Sequence, residues 1–188
     1  MDQDPAIRTR IVKAIRDGSE LGRLVRDEDI LAELREQGFF ESGDVEWKAR
    51  FAPLLEQVLQ ENPDLRFIPG RDGVPHYYSL QSLSETYAAI LVRKTEGPLW
   101  LMAEVVRDNS RLYPRPVPAE SFREPPFGLT GAEVAECLTT MREQNEYQDI
   151  AQTTTSAGTR FLYSTRYLEP DHASALAEWL DVGHIDNP

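Results

Sequence analysis

Three histidines, one cysteine and 32 carboxylates are the side chains with which this chain could do chemistry. Their spacing argues against catalysis. His76, His172 and His184 stand far apart, and none has a second His or Cys at metal-ligand distance along the chain. The carboxylates are scattered, with no pair marked out as general acid and base. Cys137 falls beside the apolar stripe that Val134 and Leu138 begin, where a small buried hydrophobe fits better than a nucleophile. There is no phosphate-cradling G-x-x-x-x-G-K-[ST] loop, no G-x-G-x-x-G turn, no G-x-S-x-G elbow and no H-E-x-x-H helix. The expectation is a protein that is not an enzyme and holds no cofactor or metal.

Binding chemistry remains, and charge bears on it. The 188 residues carry a net charge of −12. Residues 1–80 hold 11 basic and 16 acidic side chains, and residues 81–188 hold 9 and 16. Affinity for nucleic acid comes largely from Lys and Arg that neutralise phosphates, so neither half invites it, and the first half opposes it less. Arg8, Arg10, Lys13 and Arg16 read either as a phosphate-contacting patch or as a solvated helix face. The single cysteine excludes an internal disulfide and fits a reducing compartment. No apolar run approaches the roughly 18–20 residues of a membrane span, and the acidic N-terminus does not read as a secretory signal. Together these predict a cytoplasmic protein without membrane contact.

Elements that would position binding residues follow from periodicity. Ile7, Ile11 and Ile15 recur every four residues, predicting a helix over 5–17 that stops at Gly18. Ile30, Leu31 and Leu34 mark a second helix over 27–37. A third covers 45–60, with Phe51, Leu54, Leu55, Val58 and Leu59 on one face and Pro53 as a bend or a true start. Leu65–Ile68 and Pro75–Leu80 then alternate as strands around a turn at Arg71-Asp72-Gly73. Next come a helix over 83–95 and, after Gly97-Pro98, a helix or strand-then-helix over 99–107. Residues 111–129 hold five prolines and predict an irregular insertion, pinned by Tyr113, Phe122 and Phe127. It is either a core cover or an arm that docks on a partner. Thr130-Gly131-Ala132-Glu133 is a capping box opening another helix. Strands over 147–154 and 159–168 turn at Ser156-Ala157-Gly158. A last helix, with Ala175, Leu176, Trp179 and Leu180 as its stripe, closes a dimer interface or lies back on its own domain.

Helix, helix, helix, hairpin is thus read twice. The order resembles the winged-helix superfamily of helix-turn-helix proteins, over Pro5–Leu80 and again over Leu83–Leu168. Elements recur about 80 residues apart without a residue-level repeat being apparent. The resemblance implies an α+β, mostly α fold of tandem winged-helix modules, each of three helices plus a β-hairpin wing, with an extra C-terminal helix. Domain 1 would span 1–81. Domain 2 would span 82–188, with the proline-rich insertion at 111–129 and the terminal helix at 170–183. Such proteins usually set the third helix in the major groove and the wing on the neighbouring backbone. Carried over, Lys48 and Arg50 on the third helix and Arg66, Arg71 and His76 on the wing would contact double-stranded DNA. The second module's third helix carries Glu133, Glu136, Glu143 and Glu146 against Arg142, which repels phosphate. Its expected role is protein contact, through Glu133, Glu136, Tyr113, Phe122 and Trp179. Two functions are expected in order: a DNA-binding regulator that can form a homodimer and whose second domain mediates protein contacts; or an acidic protein–protein adaptor with no nucleic-acid role.

Overall fold

The computed structural model describes residues 4–40 and 45–183, with the side chains of Val45, Glu46 and Lys48 outside that description. The fold is α+β and mostly helical, with two small antiparallel sheets. The chain divides into two compact units between Val92 and Arg93. That division falls beyond the expected boundary at 81, because the helix after the first hairpin packs back on that hairpin.

In the first unit, α1 (Asp4–Glu20), α2 (Asp27–Glu36) and α3 (Val45–Glu61) precede a hairpin of β1 (Leu65–Pro69) and β2 (Pro75–Ser79). One core joins Ile7, Ile11 and Ile15 of α1 to Ile30 and Leu34 of α2, Phe51, Leu55 and Val58 of α3, and Leu65 and Tyr77 of the hairpin. Val25, between α1 and α2, bridges Tyr77 as a third strand position, with backbone N–H···O distances of 3.0 and 2.7 Å. The opposite face of β2 is also covered: Tyr78 packs with Leu83 and Ala88, the latter on α4 (Glu85–Thr95). The turn residue Gly73 has φ +81°, and Asp72 accepts from the Val74 amide at 2.9 Å, as the Asp-Gly signal requires.

Gly18 does not end α1, which runs on to Glu20. Its backbone is approached by Val25, whose Cγ2 would lie 2.4 Å from an added Cβ. Gly18→Ala is therefore expected to displace Val25 and to cost about 1–3 kcal/mol through overpacking, despite alanine's better helix propensity. Urea unfolding reads this directly, and a variant as stable as the parent would contradict the close approach.

The second unit runs α5 (Pro98–Leu112), β3 (Val117–Pro118), a 3₁₀ turn (Ala119–Arg123), α6 (Gly131–Glu143), β4 (Ile150–Thr154), β5 (Arg160–Ser164), α7 (Pro170–Glu178) and a π-helical turn (Trp179–Gly183). The strand order is β3-β5-β4, all antiparallel. The proline-rich stretch is thus not wholly irregular. Two of its residues form an edge strand, where the missing proline donor is tolerated, and Phe122 is fully buried against Phe127 at 5.1 Å. The capping box at Thr130 forms as expected. The last helix lies back on its own hairpin: Ala173 packs with Tyr163 and Leu168, and Leu176 against them. Its buried face is Ala173 and Ala177, so the expected stripe is out of phase, with Ala175 and Trp179 exposed.

The two units match at their clamps, at their hairpins and in the cluster behind each hairpin. Arg16-Asp17-Gly18-Ser19 of α1 is answered by Arg107-Asp108-Asn109-Ser110 of α5. Val25 bridges Tyr77 as Val117 pairs with Leu162. From the hairpins onward every position matches at one fixed offset. The Gly70–Val74 turn bond recurs as Thr155–Thr159, Leu80 N–Asp64 O as Thr165 N–Asp149 O, and Leu83 N–Ser79 O as Leu168 N–Ser164 O. The Tyr78, Leu83 and Ala88 cluster recurs as Tyr163, Leu168 and Ala173. A residue-level repeat therefore exists, contrary to the reading of the sequence alone. The linker from Ser110 to Val117 is one residue longer than that from Ser19 to Val25, which relaxes the close approach and admits Asn109 in place of Gly18.

Candidate interaction surfaces

Each unit holds one polar clamp in an otherwise apolar interior. In the first, Arg16 donates from Nε at 3.0 Å and Nη2 at 2.8 Å to the two oxygens of Asp64. Ser79 donates from Oγ to Asp64 at 2.8 Å and from its amide to Ser19 Oγ at 2.8 Å. In the second, Arg107 donates to Asp149 at 3.0 and 2.6 Å, Ser164 Oγ to Asp149 at 2.7 Å, and the Ser164 amide to Ser110 Oγ at 2.9 Å. The same atoms do the same work twice. Each clamp ties the first helix to the last strand and to the residue before the hairpin, satisfying buried polar groups that would otherwise be costly.

Electrostatics follow from this geometry. The hydrogen bonds from Arg16 hold the Asp64 carboxyl below its ordinary range, against the opposing effect of burial. Burial would raise Asp149, but bonds from Arg107 and Ser164 and the charges of Arg107 and Arg166 outweigh it and lower it. Burial, reinforced by Glu136 and Glu133, pushes the Cys137 thiol up to about 11, so it is a buried hydrophobe rather than a nucleophile. No group of three or more His, Cys, Asp or Glu that could hold a metal occurs among the described residues.

Ion pairs, in the clamps and outside them, engage part of the basic charge. Arg16 is committed to Asp64, Arg8 to Glu61 at 3.1 Å and Lys13 to Asp17. In the second unit Arg93 meets Asp108 at 2.5 Å, and Arg107 meets both Asp149 and Glu104. Three of the four α1 cations are thus paired, and Arg10 is exposed.

Among the residues expected to touch DNA, Arg50 is exposed, but it pairs with Asp4 at 2.9 Å and lies over the Trp47 ring at 5.6 Å. The Lys48 side chain lies outside the described residues. Arg66 is exposed on β1 and donates to its neighbour Leu65 O at 3.1 Å, and Arg71 is exposed at the turn. His76 is a correction. Placed on the wing as a contact, it is only 6% exposed, with Nδ1 3.0 Å from Val74 O. It shares the β2 face of Tyr78, by strand alternation, and that face is covered. The solvent-facing side of α3 is otherwise Ala49, Ala52, Pro53, Glu56, Gln57, Gln60 and Glu61.

Among the residues expected to meet a protein, Tyr113 is 63% and Trp179 58% exposed, and Glu136 faces solvent on α6. Phe122 is a second correction: it is fully buried, because the 3₁₀ turn aims it into the unit's interior at the place Ile30 holds in the first unit. Glu133 is largely occupied as a cap, accepting from the Thr130 amide and hydroxyl at 2.7 Å each. Sequence reasoning passed over Leu21 and Leu112, exposed at 69% and 58%. They occupy the same position in both repeats, two residues after the clamp serines Ser19 and Ser110, and the shared Arg-Asp-x-Ser-x-Leu pattern is the signal that finds them.

Residues 96–185 match the family model described as YdhW C-terminal domain, an extent that coincides closely with the second unit. The chain is also 30% identical over 138 residues to the uncharacterised protein YdhW of Escherichia coli (strain K12), covering 72% of this chain and 64% of that protein. It therefore spans somewhat less than two thirds of that relative's length. No solved structure matches. No helix among the described residues is long and apolar enough to cross a membrane.

Proposed function

We propose that the chain is a protein-interaction adaptor built from two copies of one winged-helix-like module. The order of elements supports the module: helix, a short strand position, helix or turn, helix, hairpin, then a helix packed on the hairpin, in both units. One observation carries the adaptor role. Arg50 on α3 and two of the α1 cations are paired with the chain's own carboxylates: Arg50 with Asp4, Arg8 with Glu61 and Arg16 with Asp64. A cation held by the chain's own carboxylate must give up that partner before it can neutralise a phosphate and release the DNA's counterions, so it adds less affinity. On α6, Glu136 and Glu143 face solvent, where phosphate would be repelled.

DNA-binding regulation is the second reading, favoured by the exposed Arg66 and Arg71 on the first hairpin. Fluorescence anisotropy of a mixed-sequence duplex, titrated with the full chain across a range of salt, separates the two. The adaptor reading expects no binding even at low salt. Affinity that falls steeply as salt rises would replace it with the DNA reading.

A further inference from the structure

A groove of about 530 Å³ lies within the second unit. One side is Val105 and Asn109 of α5 with the segment Arg115–Pro118 that carries β3. The other is Thr159 and Phe161 of the hairpin. Val105, Val117 and Phe161 are buried, and together they give the groove an apolar floor. Leu180 and Asp181, from the π-helical turn after α7, also line it. That turn contributes no buried residue of its own. Polar bonds to the tip of the second hairpin attach it: Thr155 Oγ donates to Asp181 at 2.5 Å, the Ser156 amide donates to Glu178 at 2.9 Å, and Ser156 Oγ also bonds Glu178. The Thr155 hydroxyl in turn accepts from the Thr159 amide at 3.1 Å, so it joins hairpin and turn.

The first unit shows that the fold does not need this attachment. At the matching hairpin positions stand Gly70 and Arg71, without hydroxyls, and the turn bonds between Gly70 and Val74 form all the same. At the position matching Trp179, α4 continues as regular helix to Thr95. A π-helical turn is rare and tends to mark a site with a task beyond packing. We infer that Trp179–Gly183 is a latch: held by Glu178 and Asp181 on the hairpin tip, it keeps Leu180 in the groove, and its release opens the apolar floor. Opening is a local event, because the Glu178 bonds are exposed, the Asp181 bond is only part-buried and the clamp at Asp149 stays made. That the opened floor receives an apolar side chain of a partner protein rests on the interaction reading above; the latch motion itself does not.

Amide hydrogen exchange of the full chain, followed by mass spectrometry, tests the latch without a partner. Thr155→Val keeps the shape of the side chain and removes the hydroxyl that Asp181 accepts from, and Glu178→Gln weakens the second attachment. Each is expected to speed exchange over 179–183 by roughly tenfold or more, the value of one charge-assisted hydrogen bond. Exchange in α5 and β5 should stay unchanged, and binding of an anilinonaphthalene sulfonate dye should rise severalfold. Unchanged exchange over 179–183, or exchange that speeds there only together with α5 and β5, overturns the latch. Leu180→Ser keeps both attachments and removes the leucine side chain from the groove wall, so it should widen access to the floor and raise dye binding with exchange over 179–183 as in the parent. No rise in dye binding would remove Leu180 as the plug. Failure to find any protein partner would leave these exchange results standing and count against the adaptor reading alone.

Discussion

Alanine in place of Asp149 is expected to destabilise the second unit by about 3–5 kcal/mol, the cost of leaving a buried charge without its counter-ion. The Arg107 side chain is only 12% exposed and reaches Asp149 through two nitrogens. Removing the carboxylate strands that guanidinium, leaves Ser164 Oγ without its acceptor and unties Arg166 as well. Glu104, 2.9 Å from Arg107 Nη1, offers partial compensation, since it already shares the charge. Asp64→Ala in the first unit should cost less, about 1.5–3 kcal/mol, the range for losing a hydrogen bond to a charged group. Arg16 is 36% exposed there and can turn to water. Urea unfolding combined with hydrogen exchange separates the units, and equal losses at the two sites would mean that burial does not govern the clamp's strength.

Phe122→Ala is expected to cost a further about 3–5 kcal/mol, by removing a fully buried ring and leaving a cavity. The ring meets Phe127, and the Phe122 carbonyl accepts from the Leu129 amide at 2.9 Å, so the substitution loosens the whole segment between the 3₁₀ turn and α6. The loss should show as faster exchange in 117–129 and a lower urea midpoint. A loss under about 1 kcal/mol is what surface substitutions give, and would return Phe122 to the exterior, where the sequence had suggested a contact.

Local chemistry in this chain was readable where one or two residues decide the outcome. Asp72-Gly73 and Gly158 specify their turns because each glycine takes a positive φ, +81° and +90°. Thr130 and Glu133 specify the start of α6 because the capping bonds close within four residues. Cys137 was placed in the interior by its neighbours on a stripe. What depended on distant packing was not readable. Alternation marks β2 as half-buried, yet α1 and α3 cover one face and the α4 segment the other, so His76 and Tyr78 are enclosed along with Tyr77. A two-residue strand among prolines has no periodicity to detect, and β3 exists because β5 offers it an edge.

The repeat was hidden for a related reason. Its identities are few and scattered, at the clamp, at one exposed leucine and at Tyr78, Leu83 and Ala88 with their counterparts, while other packing positions drift among hydrophobes, as Ile30 and Phe122 do. Insertions between the α1 match and the hairpin match shift the register, so no single offset aligns both. Arg16, Ser19, Asp64 and Ser79 become one constellation only in three dimensions, as do Arg107, Ser110, Asp149 and Ser164.

The adaptor reading rests on Arg50 and Arg8 being held by the chain's own carboxylates, away from phosphate. Unmasking them tests it most directly. Anisotropy of a mixed-sequence duplex at low salt should show no binding by the parent chain, and measurable, salt-sensitive binding by a variant in which Asp4→Asn and Glu61→Gln free Arg50 and Arg8. Tight, salt-sensitive binding by the parent, unchanged in the variant, would contradict the claim.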